Sequence, residues 1–268
     1  MKKFIFIFMF TVISLQTKAQ TFRIVVPYLG SLQNQLKVEH LNEDLDDSAL
    51  MKGLYFQWVN TRKYQWNVFF YQSSNLNFST VWGSHFIFDY YTGYGPRGRT
   101  VLGAGFDYIQ INTEADAIQT ITHFVMDNRI YSPYIRAGRY LDFKLNPHRF
   151  SFLFWGGYEH DFLRGDLSFT VPAPAPFVPD IPVEQILDKE YNYALIGAAF
   201  KATVFHFLEF QFKYHKKVDI DRDNTLDYFS ILTNVYLSRQ WAISYRYKNM
   251  EETIGNNIYH IGGIAFVF

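Results

Sequence analysis

The chain ends in Tyr259-His260-Ile261-Gly262-Gly263-Ile264-Ala265-Phe266-Val267-Phe268, and this closing stretch decides the fold. Successive side chains of a β-strand point to opposite faces of the sheet. One face of such a strand carries Phe268, Phe266, Ile264 and Gly262, and the other carries Val267, Ala265, Gly263 and Ile261. The sequence therefore predicts a final β-strand that ends on an aromatic residue.

The amino terminus has the composition of an export signal. Lys2 and Lys3 precede an apolar run over 4–15, and Thr17-Lys18-Ala19 offers a small residue at a cleavage site before Gln20. The apolar run is shorter than the ~20 residues that a helix needs to cross a bilayer, which disfavours a membrane anchor. The sequence predicts a signal peptide over 1–19 and a single exported domain over 20–268.

Together the two ends resemble those of bacterial outer-membrane β-barrel proteins of an uncharacterised or porin-like family. The resemblance implies a location in the outer membrane of a Gram-negative bacterium, in contact with outer-membrane lipid. It implies that the last strand pairs with the first to close the sheet. It also implies a protein partner, the barrel-assembly machinery, which binds the C-terminal strand ending in Phe268.

The composition agrees with strands rather than helices in the membrane. Aromatic residues make up 20% of the chain, but the mean hydropathy is only −0.11. Helical membrane proteins need long apolar runs, whereas membrane barrels alternate apolar and polar residues. The 25 basic and 25 acidic residues leave no basic excess, so we expect no nucleic-acid partner. The absence of cysteine excludes disulfides and thiolate metal sites.

Period-two alternation recurs along the chain, as in a β-sheet with two different faces. In the clearest case, Trp241, Ile243, Tyr245 and Tyr247 alternate with Ala242, Ser244, Arg246 and Lys248. The predicted strands lie near 21–30, 51–61, 64–74, 80–94, 99–111, 129–143, 149–161, 190–204, 206–217, 226–237, 240–251 and 257–268. The prediction is an all-β, up-and-down antiparallel transmembrane β-barrel of about twelve strands. Ten is the alternative, because residues 21–50 are poorly patterned.

The predicted connections alternate between short and long, as in barrels with short periplasmic turns and longer extracellular loops. The long ones are 31–50, 112–128, 162–189 and 218–225. The acidic run at 43–47 is expected to be a solvated part of the first long loop. Loop 162–189 is rich in proline and is expected to be extended, with a helical turn or two over 183–189. It is either a lid over the mouth of the barrel or a surface loop.

Eleven ionisable residues fall on the predicted inward face, because a charge facing lipid costs ~2–4 kcal/mol near the bilayer midplane. They are His85, Asp89, Asp107, Arg136, Glu159, Asp161, Glu209, Lys213, His215, Arg246 and Lys248. Two arrangements are open. The side chains line an aqueous pathway and set its selectivity, or they interlock as salt bridges and fill the lumen.

The prediction for function is a porin-like channel for passive diffusion of small polar solutes, without enzymatic activity. No histidine pair has metal-ligand spacing, so no metal and no cofactor are expected. One alternative is an outer-membrane lipid hydrolase, but Ser84 and His85 are strand neighbours that point to opposite faces. The other alternative is a structural or docking barrel that binds a partner through its extracellular loops.

Overall fold

The fold is a closed antiparallel barrel of twelve strands, each hydrogen-bonded to its sequence neighbours. The computed structural model describes residues 21–38, 43–60, 63–74, 79–95, 98–118, 121–172, 180–252 and 255–268. The strands are β1 (Thr21–Val38), β2 (Glu43–Asn60), β3 (Tyr64–Ser73), β4 (Ser79–Gly95), β5 (Gly98–Ile118), β6 (Ile121–Leu145), β7 (His148–Val171), β8 (Ile181–Val204), β9 (Leu208–Asp219), β10 (Thr225–Tyr236), β11 (Trp241–Glu252) and β12 (Gly255–Val267). The prediction of an all-β, up-and-down barrel is confirmed, and twelve strands rather than ten is the correct count.

The first and last strands close the barrel, as predicted. Leu32 is paired with Tyr259, and Ile24 with Val267. Two backbone bonds complete the seam, from the Arg23 N–H to the Phe268 carbonyl at 2.8 Å and from the Phe268 N–H to the Arg23 carbonyl at 3.0 Å. Both ends of the described chain therefore lie at one end of the barrel, which we call the terminal end. The opposite end is called the hairpin end.

The outer surface of the terminal half is apolar. Phe154, Leu102 and Trp241 are exposed on it, and the Trp241 and Phe266 rings pack with their centroids 4.3 Å apart. Ala265 and Ile261 of β12 are buried, while Ile264 and Phe268 are exposed, so the two predicted faces of the closing strand are correct. A closed sheet leaves no strand edge unpaired in lipid, and an apolar outer band contacts the lipid tails. This combination is how β-strands span a membrane.

Three of the predicted long loops are wrong, because the strands continue through them. Residues 31–50 belong mostly to β1 and β2, residues 112–128 to β5 and β6, and residues 162–189 to β7 and β8. The acidic run at 43–47 begins β2 instead of forming a loop. Residues 220–224 do form the connection between β9 and β10.

Residues 162–171 and 181–189 pair with each other as the two arms of a long antiparallel hairpin. Leu163 is paired with Lys189 and Val171 with Ile181, so the helical turn predicted over 183–189 is also wrong. Pro182 lies inside β8, paired with Thr170. The rest of the proline-rich stretch, at 173–179, lies outside the described residues, as does the predicted signal peptide at 1–19.

Along the long strands, the apolar side chains change from the outer face to the inner face of the barrel, which explains these errors. In the terminal half of β7, Phe154 faces outward and Glu159 inward. Nearer the hairpin end, Leu163 and Leu167 are buried inside while Arg164 is exposed. Outside the bilayer water replaces lipid around the barrel, so the apolar side chains move to the interior. The predicted strands stop close to this inversion.

Candidate functional site: the lumen

Apolar and aromatic side chains fill the lumen toward the hairpin end. The buried cluster includes Leu32, Met51, Tyr71, Val81, Ile111, Phe124, Met126 and Tyr259. The Tyr259 hydroxyl donates to the Tyr71 hydroxyl at 3.1 Å, and the two rings meet edge to face. These side chains form a packed apolar layer inside the barrel, and Tyr259 is paired with Lys248 of β11.

Arg136 and Asp89 form a buried ion pair across the lumen wall. The Arg136 Nη2 lies 2.7 Å from both carboxylate oxygens, and its Nε lies 3.1 Å from Oδ1. Both side chains are more than nine-tenths buried. Gly103 makes room for the pair, because a methyl group there would overlap both side chains. Such a bidentate pair links β4 to β6 across the intervening β5 with a fixed geometry.

Lys217 is the centre of a second buried cluster. Its Nζ lies 2.5 Å from Glu159, 3.6 Å from Glu252 and 3.9 Å from Asp161. Three carboxylates thus surround one ammonium group, and neither Asp161 oxygen has a hydrogen-bond partner among the described residues. This carboxylate cluster lies in the part of the lumen toward the hairpin end, because Glu252 is the last residue of β11 and β11 runs from the terminal end to the hairpin end.

Two histidines lie between the clusters. The His85 Nδ1 contacts the Asp107 carboxylate. His215 stacks on Tyr228 with ring centroids 4.4 Å apart. Within the described residues, no group of three or more His, Asp or Glu side chains is arranged to hold a metal ion.

Three further cations occupy the terminal half of the lumen: Lys213, Arg246 and Lys248. Among the described residues, none of them has a carboxylate oxygen within 4.0 Å. They lie over aromatic rings instead. Arg246 is 4.5 Å from the Tyr55 ring centre, Lys213 is 4.9 Å from that of Tyr228, and Lys248 is 5.2 Å from that of Phe69. Cation–π contacts of this kind contribute about 0.5–2 kcal/mol each.

These cations line a cavity of about 120 Å³ in the terminal half of the barrel. Trp155, Tyr228 and Tyr55 supply aromatic walls, and Arg136 with Asp89 contributes an already paired charge. Polar side chains line the part nearest the terminal end: Gln57, Gln65, Asn67 and Gln211. The barrel interior is therefore partly filled by paired and apolar side chains and partly a polar chamber.

The structure places all eleven predicted residues on the inward face. Nine of them line the two cavities of the lumen: His85, Asp89, Asp107, Arg136, Glu159, Lys213, His215, Arg246 and Lys248. Asp161 is fully buried next to Lys217. Glu209 does not join the cationic group, because its carboxylate pairs with Lys201 at 2.8 Å and accepts from the Asn234 amide. Their role in selectivity stays a prediction.

Lys217 and Glu252 are lumen residues that the sequence analysis missed. Lys217 has the same strand parity as Lys213, so alternation alone was sufficient to find it. Glu252 was lost because the predicted strand ended one residue before it. Ser84 and His85 lie on opposite faces, since His85 lines the lumen and Ser84 is its strand neighbour.

Comparison with solved structures identifies the same class of fold. The translocator domain of the autotransporter NalP from Neisseria meningitidis superposes with a TM-score of 0.54, covering 100% of this chain and 94% of that one at 10% identity. The CymD monoaromatic hydrocarbon channel gives 0.46, covering 94% and 89% at 10% identity. The NanC porin gives 0.46, covering 89% and 98% at 9% identity. At such identities the likeness shows the fold alone.

No protein-family model matches the sequence, and no curated protein matches it. Among the described residues there is no helix that is long and apolar enough to cross a membrane. The chain is a twelve-strand closed barrel of the outer-membrane type.

Proposed function

We propose that this protein is an outer-membrane channel for the diffusion of small polar solutes, with the terminal end facing the periplasm. The observation that carries the proposal is the polar chamber of about 120 Å³ inside a closed sheet. A barrel that only anchors a partner needs no such chamber, and an apolar core would fill it at lower cost, because buried charges are expensive.

In the proposed channel, the apolar layer that contains Tyr71 and Tyr259 closes the chamber toward the hairpin end. Passage therefore requires these side chains to move. Rotamer changes of packed aromatic side chains do not break the barrel hydrogen bonds, so the sheet can persist while the layer opens. The proposed channel is narrow and gated rather than a permanently open pore.

Single-channel recording in planar lipid bilayers tests the proposal. The wild-type protein should give discrete conductance steps. The double variant Tyr71→Ala/Tyr259→Ala should raise the open fraction severalfold, because it removes both rings of the edge-to-face pair. Tyr90→Ala is the matched control, since Tyr90 is exposed on the outer surface and its loss should leave the steps unchanged.

A wild-type protein without conductance at either polarity would overturn the proposal, even if the double variant conducts. That result would show a lumen that solutes cross only after it has been hollowed out by mutation.

A further inference from the structure

We infer that the lumen chamber binds a small hydroxycarboxylate, an organic anion with one carboxylate and neighbouring hydroxyl groups. The inference rests on the proposed function, because it names the class of solute that the channel admits. It is drawn from the charge, burial and hydrogen bonding of the chamber walls.

The charge of the chamber points to an anion. Arg246 is 9% exposed and Lys248 is 4% exposed, yet neither has a carboxylate within 4.0 Å among the described residues. Lys213 lies between the Trp155 and Tyr228 rings and adds a third positive charge. Buried charges need a partner of opposite sign or water. A carboxylate in the chamber supplies that partner to all three.

Three other inward cations of the described chain are already paired with carboxylates. Arg136 is held by Asp89, Lys201 by Glu209, and Lys217 by Glu159. The positive charge of the chamber is thus concentrated on Lys213, Arg246 and Lys248. The surplus negative charge lies farther along the lumen, around Lys217.

The amides near the terminal end suit hydroxyl groups. Asn67 Oδ1 accepts from the Tyr55 hydroxyl at 2.7 Å, from Gln57 Nε2 at 2.9 Å and from Gln65 Nε2 at 3.0 Å. These bonds fix the orientation of the Asn67 amide. Within the described part of the chain they leave the Asn67 N–H groups and the Gln57 carbonyl to bind a solute, together with the Gln211 amide. Amides both donate to and accept from hydroxyls.

The size of the chamber sets the scale of the solute. A volume of about 120 Å³ exceeds the roughly 10–15 Å³ that one water molecule needs. It accepts a molecule of a few heavy atoms with one end at the cations and the other at the amides. Three-carbon hydroxycarboxylates such as glycerate have this form.

Calorimetric titration of the full-length protein in neutral detergent tests the inference. Glycerate should bind, while glycerol, which has the hydroxyls without the carboxylate, should not. Chloride should bind at least tenfold more weakly than glycerate, because it gains nothing from the amides. Lys213→Gln and Lys248→Gln should each weaken glycerate binding at least tenfold. Lys201→Gln is the matched control and should change the affinity less than twofold, because Lys201 is already paired.

Each variant is first checked for a cooperative thermal transition by circular dichroism. Equal binding of chloride and glycerate, no binding of either, or an equal effect of Lys201→Gln and Lys213→Gln would overturn the inference. Binding without conductance leaves the site standing and overturns the channel. Conductance without glycerate binding does the reverse, so the two failures are distinguishable.

Discussion

Individual glycines decide which large side chains fit inside this barrel. A methyl group at Gly197 would overlap the Trp155 indole and press on the Cβ of His215. Gly103 stands in the same relation to Arg136 and Asp89. The bulky residues of one strand thus occupy space left by the glycines of the next, and the wall of the chamber takes its shape from both.

Gly197→Ala should destabilise the barrel by about 1–3 kcal/mol, because the interior is already packed around Trp155. Gly156→Ala is the control, since its nearest contact is the Leu195 carbonyl oxygen at 3.6 Å, an ordinary distance. It should leave the free energy of unfolding unchanged or raise it. Urea unfolding in lipid vesicles, followed by tryptophan fluorescence, measures both. Equal losses in the two variants would contradict the packing argument.

At the scale of the strands, the alternation in the sequence predicted the outer and inner faces correctly only in the part of the barrel that lipid surrounds. Trp241 and Ile243 sit on the outer face as predicted, and Arg246 and Lys248 on the inner one. Beyond the bilayer the inward positions become apolar, as at Leu167, and a single sense of alternation no longer describes the strand.

The partners in the ion pairs could not be predicted from the sequence, for a different reason. Arg136 and Asp89 are forty-seven residues apart and come from β6 and β4, which are not adjacent in the barrel. Alternation places each of them on the inward face. It does not show which charge lies opposite which, because that depends on how the strands stagger around the closed sheet.

The turn between β8 and β9 holds two residues in the left-handed region, with φ of 50° at Phe205 and 64° at His206. This region costs most non-glycine residues about 1–2 kcal/mol. His206→Gly should therefore raise the free energy of unfolding by up to about 1 kcal/mol, since glycine adopts it freely.

Gln240→Gly, in the turn between β10 and β11, serves as the control. Gln240 has no positive φ, so glycine there only adds freedom to the unfolded chain and should lower stability by up to about 1 kcal/mol. Urea midpoints in vesicles give both values. A shift of the same sign in the two variants would refute the strain argument.

The molecule as a whole is divided by the solvent around it. Its terminal half has an apolar outer surface and a charged interior. In its hairpin half, apolar side chains such as Leu163 and Leu167 face the interior, and charged ones such as Arg164 are exposed. A membrane strand of about 9–11 residues spans the hydrocarbon, so strands of 24 or 25 residues such as β6, β7 and β8 extend well beyond it.

A charge placed on the outer surface should destabilise the barrel in the terminal half and be tolerated in the hairpin half. Phe154→Arg puts a cation into the apolar band, where it should cost about 2–4 kcal/mol. Ile186 lies near the start of β8, toward the hairpin end, and its side chain is 81% exposed, so Ile186→Arg should cost little. Unfolding in vesicles measures both. Comparable losses would mean that the bilayer covers the hairpin half as well.

β8 extends well beyond β9 toward the hairpin end. β8 has 24 residues and β9 has 12, and their pairing begins only at Tyr193. In the described chain, one edge of residues 181–190 therefore has no neighbouring strand, and such edges attract strands of other molecules. Pro182, Glu184 and Asp188 lie on this stretch. Proline withholds a hydrogen-bond donor, and charged side chains disfavour the addition of a foreign strand, so this edge is expected to resist pairing between neighbouring barrels.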